Sequence, residues 1–365
     1  MKVNNASRDI MKITKECKKK TLEVFKNKRI LVVILVLVII VIAMAIMSKF
    51  NSRKKVMTVA DTSFYTDDYM IYLKLAKDDY FGKEIGKIPE ATLNTIVDQN
   101  TNTTVENYLK QKTEGNLKIA GIISKIAKEN NITLSDENKK QISEEKESLI
   151  NKLGGKNQFK QWLKNNRTTE EAYDKMSQTE KLYSVIFDNL YAEGKANDLT
   201  EEEKENAKNT YKRDYKKIKQ IVLFTVNPQD MKELSEKEKE QKKLLADTIY
   251  AELKKQKNYN DFNKYIKKYS DNSSEDESSY STYFKSGQLL KDIEKAANKL
   301  KAGEISEVIE SQYAYHIILR EELDDSYLEK IYKDAREQKL LTDISEEINK
   351  TGIIIENTLE KMSIN

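Results

Sequence analysis

The chain has 365 residues, with 64 Lys or Arg against 60 Asp or Glu, so its formal net charge is only +4. This length suffices for two or three domains of ordinary size, and the balanced charge argues against a nucleic-acid-binding protein. The single cysteine, Cys17, excludes an intramolecular disulfide, and the single histidine, His316, excludes any two-histidine metal site. We therefore expect neither a metal nor a cofactor.

Residues 30–47 form an uninterrupted run of eighteen apolar residues. As a helix this run is about 27 Å long, close to the hydrocarbon thickness of a bilayer. Ten Lys or Arg precede it and four follow within residues 48–55, so the positive-inside bias predicts a cytoplasmic basic tail (1–29), a transmembrane helix (30–47), a linker (48–55) and an extracytoplasmic remainder. The alternative is a cleaved signal peptide, which Ala43-Met44-Ala45 would suit, but the apolar run exceeds the usual length of about 7 to 15 residues.

After the linker, a brief extended piece turns into long amphipathic helices. Apolar residues recur at spacings of three and four, which places them on one helical face; they include Ile119, Ile122, Ile123 and Ile126, and then Phe159, Trp162 and Leu163. Helix starts are predicted at three S/T-x-x-E capping boxes, namely Thr168 with Glu171, Thr200 with Glu203 and Ser235 with Glu238.

From about Lys217 the pattern changes to strand-like alternation, which ends at Asn227-Pro228. Helices are predicted over 236–257 and 262–269, followed by a polar loop, a helix to about Leu300 and a final strand over 315–320. This mixture of strands and helices predicts an α+β unit of about 100 residues. After Leu323 the pattern is helical again to near Asn365.

Residues 293–322 read IEKAANKLKAGEISEVIESQYAYHIILREE and closely resemble the C-terminal half of parvulin-type peptidyl-prolyl isomerase domains. KIKQIVLF, YNDFNKYIKKYSDNSS and YFKSGQ precede them in the order that this family shows. The segment before that, including GGKNQFKQWLKNNRTTEEAYDKM, is similar to the helical chaperone lobe of PrsA-type and SurA-type foldases. Behind the transmembrane helix that the apolar run predicts, the resemblance implies an α+β protein with a mostly helical lobe (56–215), an inserted parvulin-like domain (216–322) and a C-terminal helical segment (323–365) that returns to the lobe. Anchoring departs from the family, since many PrsA-type proteins are lipoproteins and this chain lacks the lipidation cysteine.

The same resemblance implies the site residues. The catalytic positions match His316, Gln220 and Asn272, and the proline-binding positions match Phe284, Leu289 and Ile293. Several of these depart from the family pattern: Gln220 stands where the family has a histidine, Asn272 where it has Cys or Asp, and Leu289 and Ile293 replace Met and Phe. From the residues alone, a lone histidine in a strand is equally well a structural residue, and Leu289 and Ile293 would be core in most proteins.

These features predict a membrane-anchored extracytoplasmic foldase with a peptidyl-prolyl cis/trans isomerase domain. Its expected partners are the membrane and unfolded or newly exported proteins with X-Pro bonds, with no nucleic acid. Two alternatives remain, a catalytically inactive holdase chaperone and a cell-surface adaptor protein. The sequence also leaves open whether two copies pair as a homodimer.

Overall fold

The structure is a computed structural model that describes residues 53–82, 85–256 and 258–365. The predicted basic tail, the predicted span at 30–47 and most of the linker lie outside the described residues. Within the described part, no helix is both long and apolar enough to cross a bilayer. Two compact units are present: residues up to Ile186 together with Asp343–Asn365 form the first unit, and Phe187–Thr342 form the second unit.

Helices dominate the first unit. Up to Ile186 its elements are β1 (Lys55–Val59), β2 (Thr62–Tyr65), α1 (Thr66–Phe81), α2 (Glu90–Leu93), β3 (Ile96–Asp98), β4 (Thr103–Thr104), α3 (Val105–Glu129), α4 (Asp136–Leu153), α5 (Lys156–Asn165) and α6 (Glu170–Ile186). The predicted apolar faces point inward, since Ile122 and Ile123 of α3 are buried and Phe159 packs with Leu163 and Trp162.

The predicted capping boxes are confirmed at two of three positions. Thr200 and Ser235 each accept the amide of the glutamate three residues on, and that glutamate bonds back. At α6 the prediction is wrong by one residue, because the hydroxyl of Thr169 accepts the Ala172 amide at 3.1 Å. The hydroxyl of Thr168 instead donates to the carbonyl of Asp67 at 2.9 Å, a tertiary contact that no local pattern reveals.

The second unit is built on a four-stranded sheet. Its elements are a π-helical turn (Phe187–Tyr191), α7 (Glu201–Asp214), β5 (Lys216–Phe224), α8 (Glu236–Leu253), α9 (Phe262–Tyr269), β6 (Ser281–Phe284), α10 (Lys291–Lys299), β7 (Ile309–Glu310), β8 (Ala314–Glu321) and the start of α11 (Leu328–Lys350), with 3-10 turns at Glu277–Tyr280 and Asp325–Tyr327. All neighbouring strands are antiparallel, in the order β6-β5-β8-β7. The predicted mixture of helices and sheets is thus confirmed.

The alternation along β5 and β8 divides their side chains between two faces of the sheet. On one face, Ile221 of β5 and Ile317 of β8 belong to an apolar cluster with α8 and α9. On the other face, Ile218 and Ile318 belong to a second cluster with α10. His316 is two residues from Ile318, so it lies on this α10 face.

The C-terminal residues add a strand that the sequence interpretation missed. After α11 come β9 (Ile353–Ile355) and α12 (Asn357–Glu360). β9 pairs antiparallel with β1, with Ile354 opposite Thr58, and completes a sheet of order β2-β1-β9. The expectation of helix to near Asn365 is therefore wrong here, because three consecutive β-branched residues favour a strand once an edge is free to receive them. The domain boundaries 56–215, 216–322 and 323–365 stay predictions.

Candidate functional site

His316 occupies the centre of the second unit's sheet. It lies on β8, opposite Val222 of β5 on one side and Ile309 of β7 on the other. Its side chain points to the α10 face and is only 7% exposed. A polar ring this deeply buried needs partners for both nitrogens.

Both ring nitrogens of His316 have neutral partners. Nδ1 lies 3.2 Å from Oε1 of Gln220, and Nε2 lies 2.9 Å from Oγ of Ser311. The Ser311 oxygen also accepts the amides of Tyr313 and Ala314, at 3.3 and 3.2 Å. The partners fit a neutral imidazole whose Nδ1–H donates to Gln220. The one Ser311 hydroxyl proton is shared between Nε2 of His316 at 2.9 Å and the carbonyl of Ala314 at 3.0 Å.

The electrostatics of the site agree with a neutral ring. Burial lowers the pKa of His316 from its usual 6.5 to about 4. At neutral pH the imidazole therefore carries no charge and is a weak proton donor. What the site offers is a set of fixed, neutral dipoles rather than an acid–base pair.

The predicted proline-binding residues lie together beside the histidine's face of the sheet. Phe284 and Ile293 are 2% and 3% exposed and form one cluster with Ile218 and Ile318, with Leu289 packed against it. Leu289 is half-buried, so of the three predicted residues it presents the most surface. The next residue, Leu290, is 51% exposed and adds apolar surface that the sequence interpretation did not assign.

Asn272, in contrast, is not brought to the imidazole. It is exposed, and its Oδ1 accepts the hydroxyl of Ser270 at 2.7 Å. The Ser270 oxygen accepts the amide of Val222 at 2.8 Å, so this turn covers the part of β5 that extends beyond its pairing with β6. Among the described residues no hydrogen bond joins Asn272 to His316 or Gln220. Of the three predicted catalytic residues, His316 and Gln220 therefore form a pair and Asn272 lies apart.

Two residues with clear roles were missed. Ser311 binds the second ring nitrogen, and the only sequence signal for it is its place in the short turn before β8. Asp271 accepts the amide of Phe224 at 2.7 Å and forms an ion pair with Lys242 at 2.6 Å. Its carboxylate is thus engaged in holding β5. Over the described residues, no group of three potential metal ligands occurs.

Several known proteins are similar in sequence to this chain. The Rotamase family model, described as a PPIC-type PPIASE domain, matches residues 222–322. Foldase protein PrsA of Staphylococcus aureus strain MRSA252 is 30% identical in an alignment 270 residues long, which covers 67% of this chain and 79% of that protein. PrsA of strain Newman gives the same values. The chain belongs to the PrsA foldase family.

Solved structures of PrsA proteins are also similar to this PrsA-family chain. PrsA from Bacillus subtilis is 20% identical, with a TM-score of 0.32, covering 67% of this chain and 85% of that one. The foldase from Lactococcus lactis is 16% identical, with a TM-score of 0.36, covering 84% and 96%. A SurA-like chaperone of Campylobacter jejuni is 13% identical, with a TM-score of 0.27, covering 83% and 99%. The sequence relatives establish the family, and these low scores add nothing to it.

The predicted resemblance to PrsA-type foldases and parvulin-type domains is confirmed. Of the predicted site residues, all but one lie within the matched range, and Gln220 lies two residues before it. The roles assigned to the individual residues of this PrsA-family chain stay predictions.

Proposed function

We propose that this chain is an extracytoplasmic foldase whose second unit turns X-Pro bonds between cis and trans. The observation that carries the proposal is His316, a buried neutral imidazole bonded on both nitrogens, on the same sheet face as the cluster of Phe284 and Leu289. This arrangement lies almost wholly within the range that the PPIC-type model matches. Family membership supports unfolded or newly exported proteins as the clients.

The chemistry of such a site is physical rather than covalent. Rotation about an X-Pro bond must overcome a resonance barrier of about 18 to 20 kcal/mol, and unassisted it takes tens of seconds or longer. Leu289 offers apolar contact to a proline ring. The dipoles of His316, Gln220 and Ser311 are fixed before a substrate arrives, and such preorganised groups favour a twisted amide over its planar, charge-separated form.

A holdase without turnover is the second candidate. Two observations favour it: Gln220 and Asn272 are neutral amides where the family carries titrating groups, and Phe284 and Ile293 are almost fully covered. Little apolar wall is then left open to grip a proline ring. A cell-surface adaptor is the remaining alternative, for a chain that shows neither isomerisation nor chaperone activity.

The experiment measures prolyl isomerisation of a proline-containing tetrapeptide by the full chain in mild detergent, beside suppression of aggregation of an unfolded client. Catalysis that His316→Ala abolishes supports the isomerase. Gln312→Ala is the matched control, because this exposed residue lies in the same turn as Ser311 and is expected to leave the rate unchanged. Suppressed aggregation without catalysis identifies a holdase, and catalysis that survives His316→Ala contradicts the proposed site.

The proposal includes a single membrane span at 30–47 with the N-terminus inside the cell and both units outside. The apolar run and the basic excess before it support this orientation. Protease added outside intact cells is expected to digest residues beyond 55 while residues 1–29 stay protected. Loss of 1–29 from the mature chain would identify a cleaved signal peptide instead. The molar mass of the purified full chain in detergent distinguishes a monomer from a homodimer.

A further inference from the structure

The loop 285–290 joins β6 to α10 and ends in two leucines of unequal exposure. Leu289 is half-buried and packs against the cluster of Phe284 and Ile293, whereas Leu290 is 51% exposed. Because Leu290 directly follows a predicted proline-binding residue, its open apolar surface is continuous with the proposed isomerase site. It is therefore a candidate contact for the parts of a client that flank the proline.

Leu290 also departs from a local rule of helix construction. It is the N-cap residue of α10, and its side chain makes no capping hydrogen bond. Ser, Thr, Asp and Asn are preferred at N-caps because their side-chain oxygens accept free amides of the first helical turn. An exposed leucine at this position contributes neither a cap nor burial to the fold. Departures of this kind are expected at functional positions.

The carboxylate of Glu294, in the first turn of α10, reaches back to the loop. Its Oε1 accepts the hydroxyl of Ser286 at 2.9 Å, and its Oε2 accepts the amide of Gly287 at 2.8 Å. These two donors lower the pKa of Glu294, so the side chain is ionised at neutral pH and both hydrogen bonds are charge-assisted. Gly287 has a φ of 85°, a left-handed conformation that glycine adopts without strain.

A second pair of contacts closes the loop on itself. Oε1 of Gln288 accepts the amide of Lys285 at 2.9 Å, and the amide of Gln288 donates to the carbonyl of Lys285 at 3.2 Å. Together with the contacts from Glu294, these bonds fix the loop before a substrate arrives. Leu289 and Leu290 are then presented without the entropic cost of ordering the loop on binding.

We propose that Leu290 contacts the residue next to a client's proline while Leu289 contacts the proline ring, and that Glu294 is the positioning residue that holds both leucines in place. The site then selects X-Pro bonds flanked by an apolar side chain, because burial of that side chain against Leu290 removes apolar surface of both partners from water. The inference rests on the proposed function, to which it adds the class of substrate.

The test compares the pentapeptides Ala-Leu-Pro-Leu-Ala and Ala-Gln-Pro-Gln-Ala, whose cis–trans exchange is measured by NMR with the full chain in mild detergent. We expect kcat/KM to be about tenfold higher for the leucine peptide. Leu290→Ser is expected to abolish this preference while the chain unfolds at no lower temperature, since serine can cap α10. A merely structural role for Leu290 predicts the opposite, a lower melting temperature with the preference intact.

Leu244→Ser is the matched control for Leu290→Ser. It removes another leucine of the second unit, one that is 68% exposed on α8, and α8 packs on the opposite face of the sheet from α10. This variant is expected to leave kcat/KM for both peptides unchanged.

Glu294→Gln tests the positioning role. A carboxamide has one acceptor oxygen in place of two, so the contacts to Ser286 and Gly287 cannot both be kept. We expect KM for the leucine peptide to rise about fivefold and kcat to change by about twofold at most, because the dipoles around His316 are untouched. Asp292→Asn is the matched control, since Asp292 is the other acidic residue in the first turn of α10 and is exposed.

Several results would overturn the inference. Equal kcat/KM for the two peptides, or a Leu290→Ser chain that keeps the preference, contradicts it while the isomerase itself stands. Faster turnover of Ala-Glu-Pro-Glu-Ala than of the leucine peptide assigns selection to the exposed Lys285 and Lys291 instead. A Glu294→Gln chain with the kinetics of Asp292→Asn contradicts the positioning role. A chain that turns over none of the peptides contradicts the proposed function as well.

Discussion

The imidazole of His316 is the one histidine side chain in the sequence, and the fold places it where protonation is unfavourable. In the unfolded chain its pKa is near 6.5, and in the folded protein burial lowers it to about 4. Between these values the unfolded chain binds a proton that the folded chain does not. The contribution of His316 to the free energy of unfolding therefore falls by about 3 kcal/mol as the pH is lowered from 6.5 to 4, and is constant above that window.

The prediction is checked by following the histidine ring signal by NMR while the pH is lowered, and by denaturant unfolding at pH 7 and pH 4.5. Buried carboxyls such as Asp68 also titrate, so the relevant quantity is the difference between the wild-type chain and His316→Gln. A ring that titrates near 6.5 in the folded chain would show that the site is open to water, contrary to the structure.

The neutral side chain of Gln220 is one reason why the imidazole of His316 stays uncharged. Gln220→Glu places a carboxylate beside Nδ1, at the position that Oε1 now holds at 3.2 Å, and stabilises the protonated ring. We expect the pKa of His316 to rise by about 1 or more in this variant. Gln220→Leu is the matched control, because it removes the hydrogen bond without adding charge. Ring titration by NMR measures both, and an unchanged value in Gln220→Glu would mean that the two side chains do not meet.

Some of the individual site residues were predictable from the sequence, and others were not. His316 and Gln220 were named from their places in a resembling motif, and the structure brings them together. Ser311 could not be named, because its role depends on how the β7–β8 turn folds back over the ring. The same limit applies to Thr168, whose hydroxyl bonds a carbonyl a hundred residues away rather than its own helix.

Among the elements, α3 depends on one glycine for its contact with β1. A Cβ atom at Gly121 would lie 2.4 Å from Cβ of Val59, which is buried in the sheet. We expect Gly121→Ala to destabilise the first unit by about 1 to 3 kcal/mol, because strand and helix must move apart. Urea unfolding followed by the fluorescence of Trp162, the one tryptophan in the chain, reports on this unit.

Gly115 on the same helix is the matched control. A Cβ atom there meets nothing within 4 Å, so Gly115→Ala gains helix propensity without a clash. It is expected to stabilise the unit by about 0.5 to 1 kcal/mol. If both alanine variants were stabilising, the close packing of α3 on β1 would be refuted.

Long periodic elements were predictable and short ones were not. The alternation of side chains from Lys217 predicts β5, and the helical spacing of apolar residues over 262–269 predicts α9. Both are predictable because each element buries one regular face. β9 is three residues long, and its partner β1 precedes it by about three hundred residues. Nothing local distinguishes such a run of Ile from the end of a helix, so only the presence of a free strand edge decides its structure.

The molecule as a whole joins the two ends of the described chain in one sheet. The amide of Glu356 donates to Val56, and the amide of Ala60 donates to Gly352, so the alternation turns the Ile354 amide toward β1. Ile354→Pro removes this main-chain hydrogen bond at a residue whose side chain is largely exposed, and is expected to destabilise the first unit by about 1 to 3 kcal/mol.

Hydrogen exchange tests this at the level of the units. Amides of β1 are expected to exchange faster in Ile354→Pro, while those of β5 and β8 keep their rates because they belong to the second unit. Ile355→Pro is the control, since its amide points away from β1. Faster exchange in β5 and β8 as well would show that the two units unfold together.

The pairing of β9 with β1 also sets an order of events during synthesis. A ribosome delivers residues 55–59 early and residues 353–355 only after all of 187–342 has been made. All strands of the second unit's sheet come from residues 187–342, so this unit can fold as soon as they are synthesised. Until residues 353–355 follow, one edge of β1 has no partner strand. A protein of the family that assists the folding of others thus leaves its own first-made part unfinished until translation is nearly over.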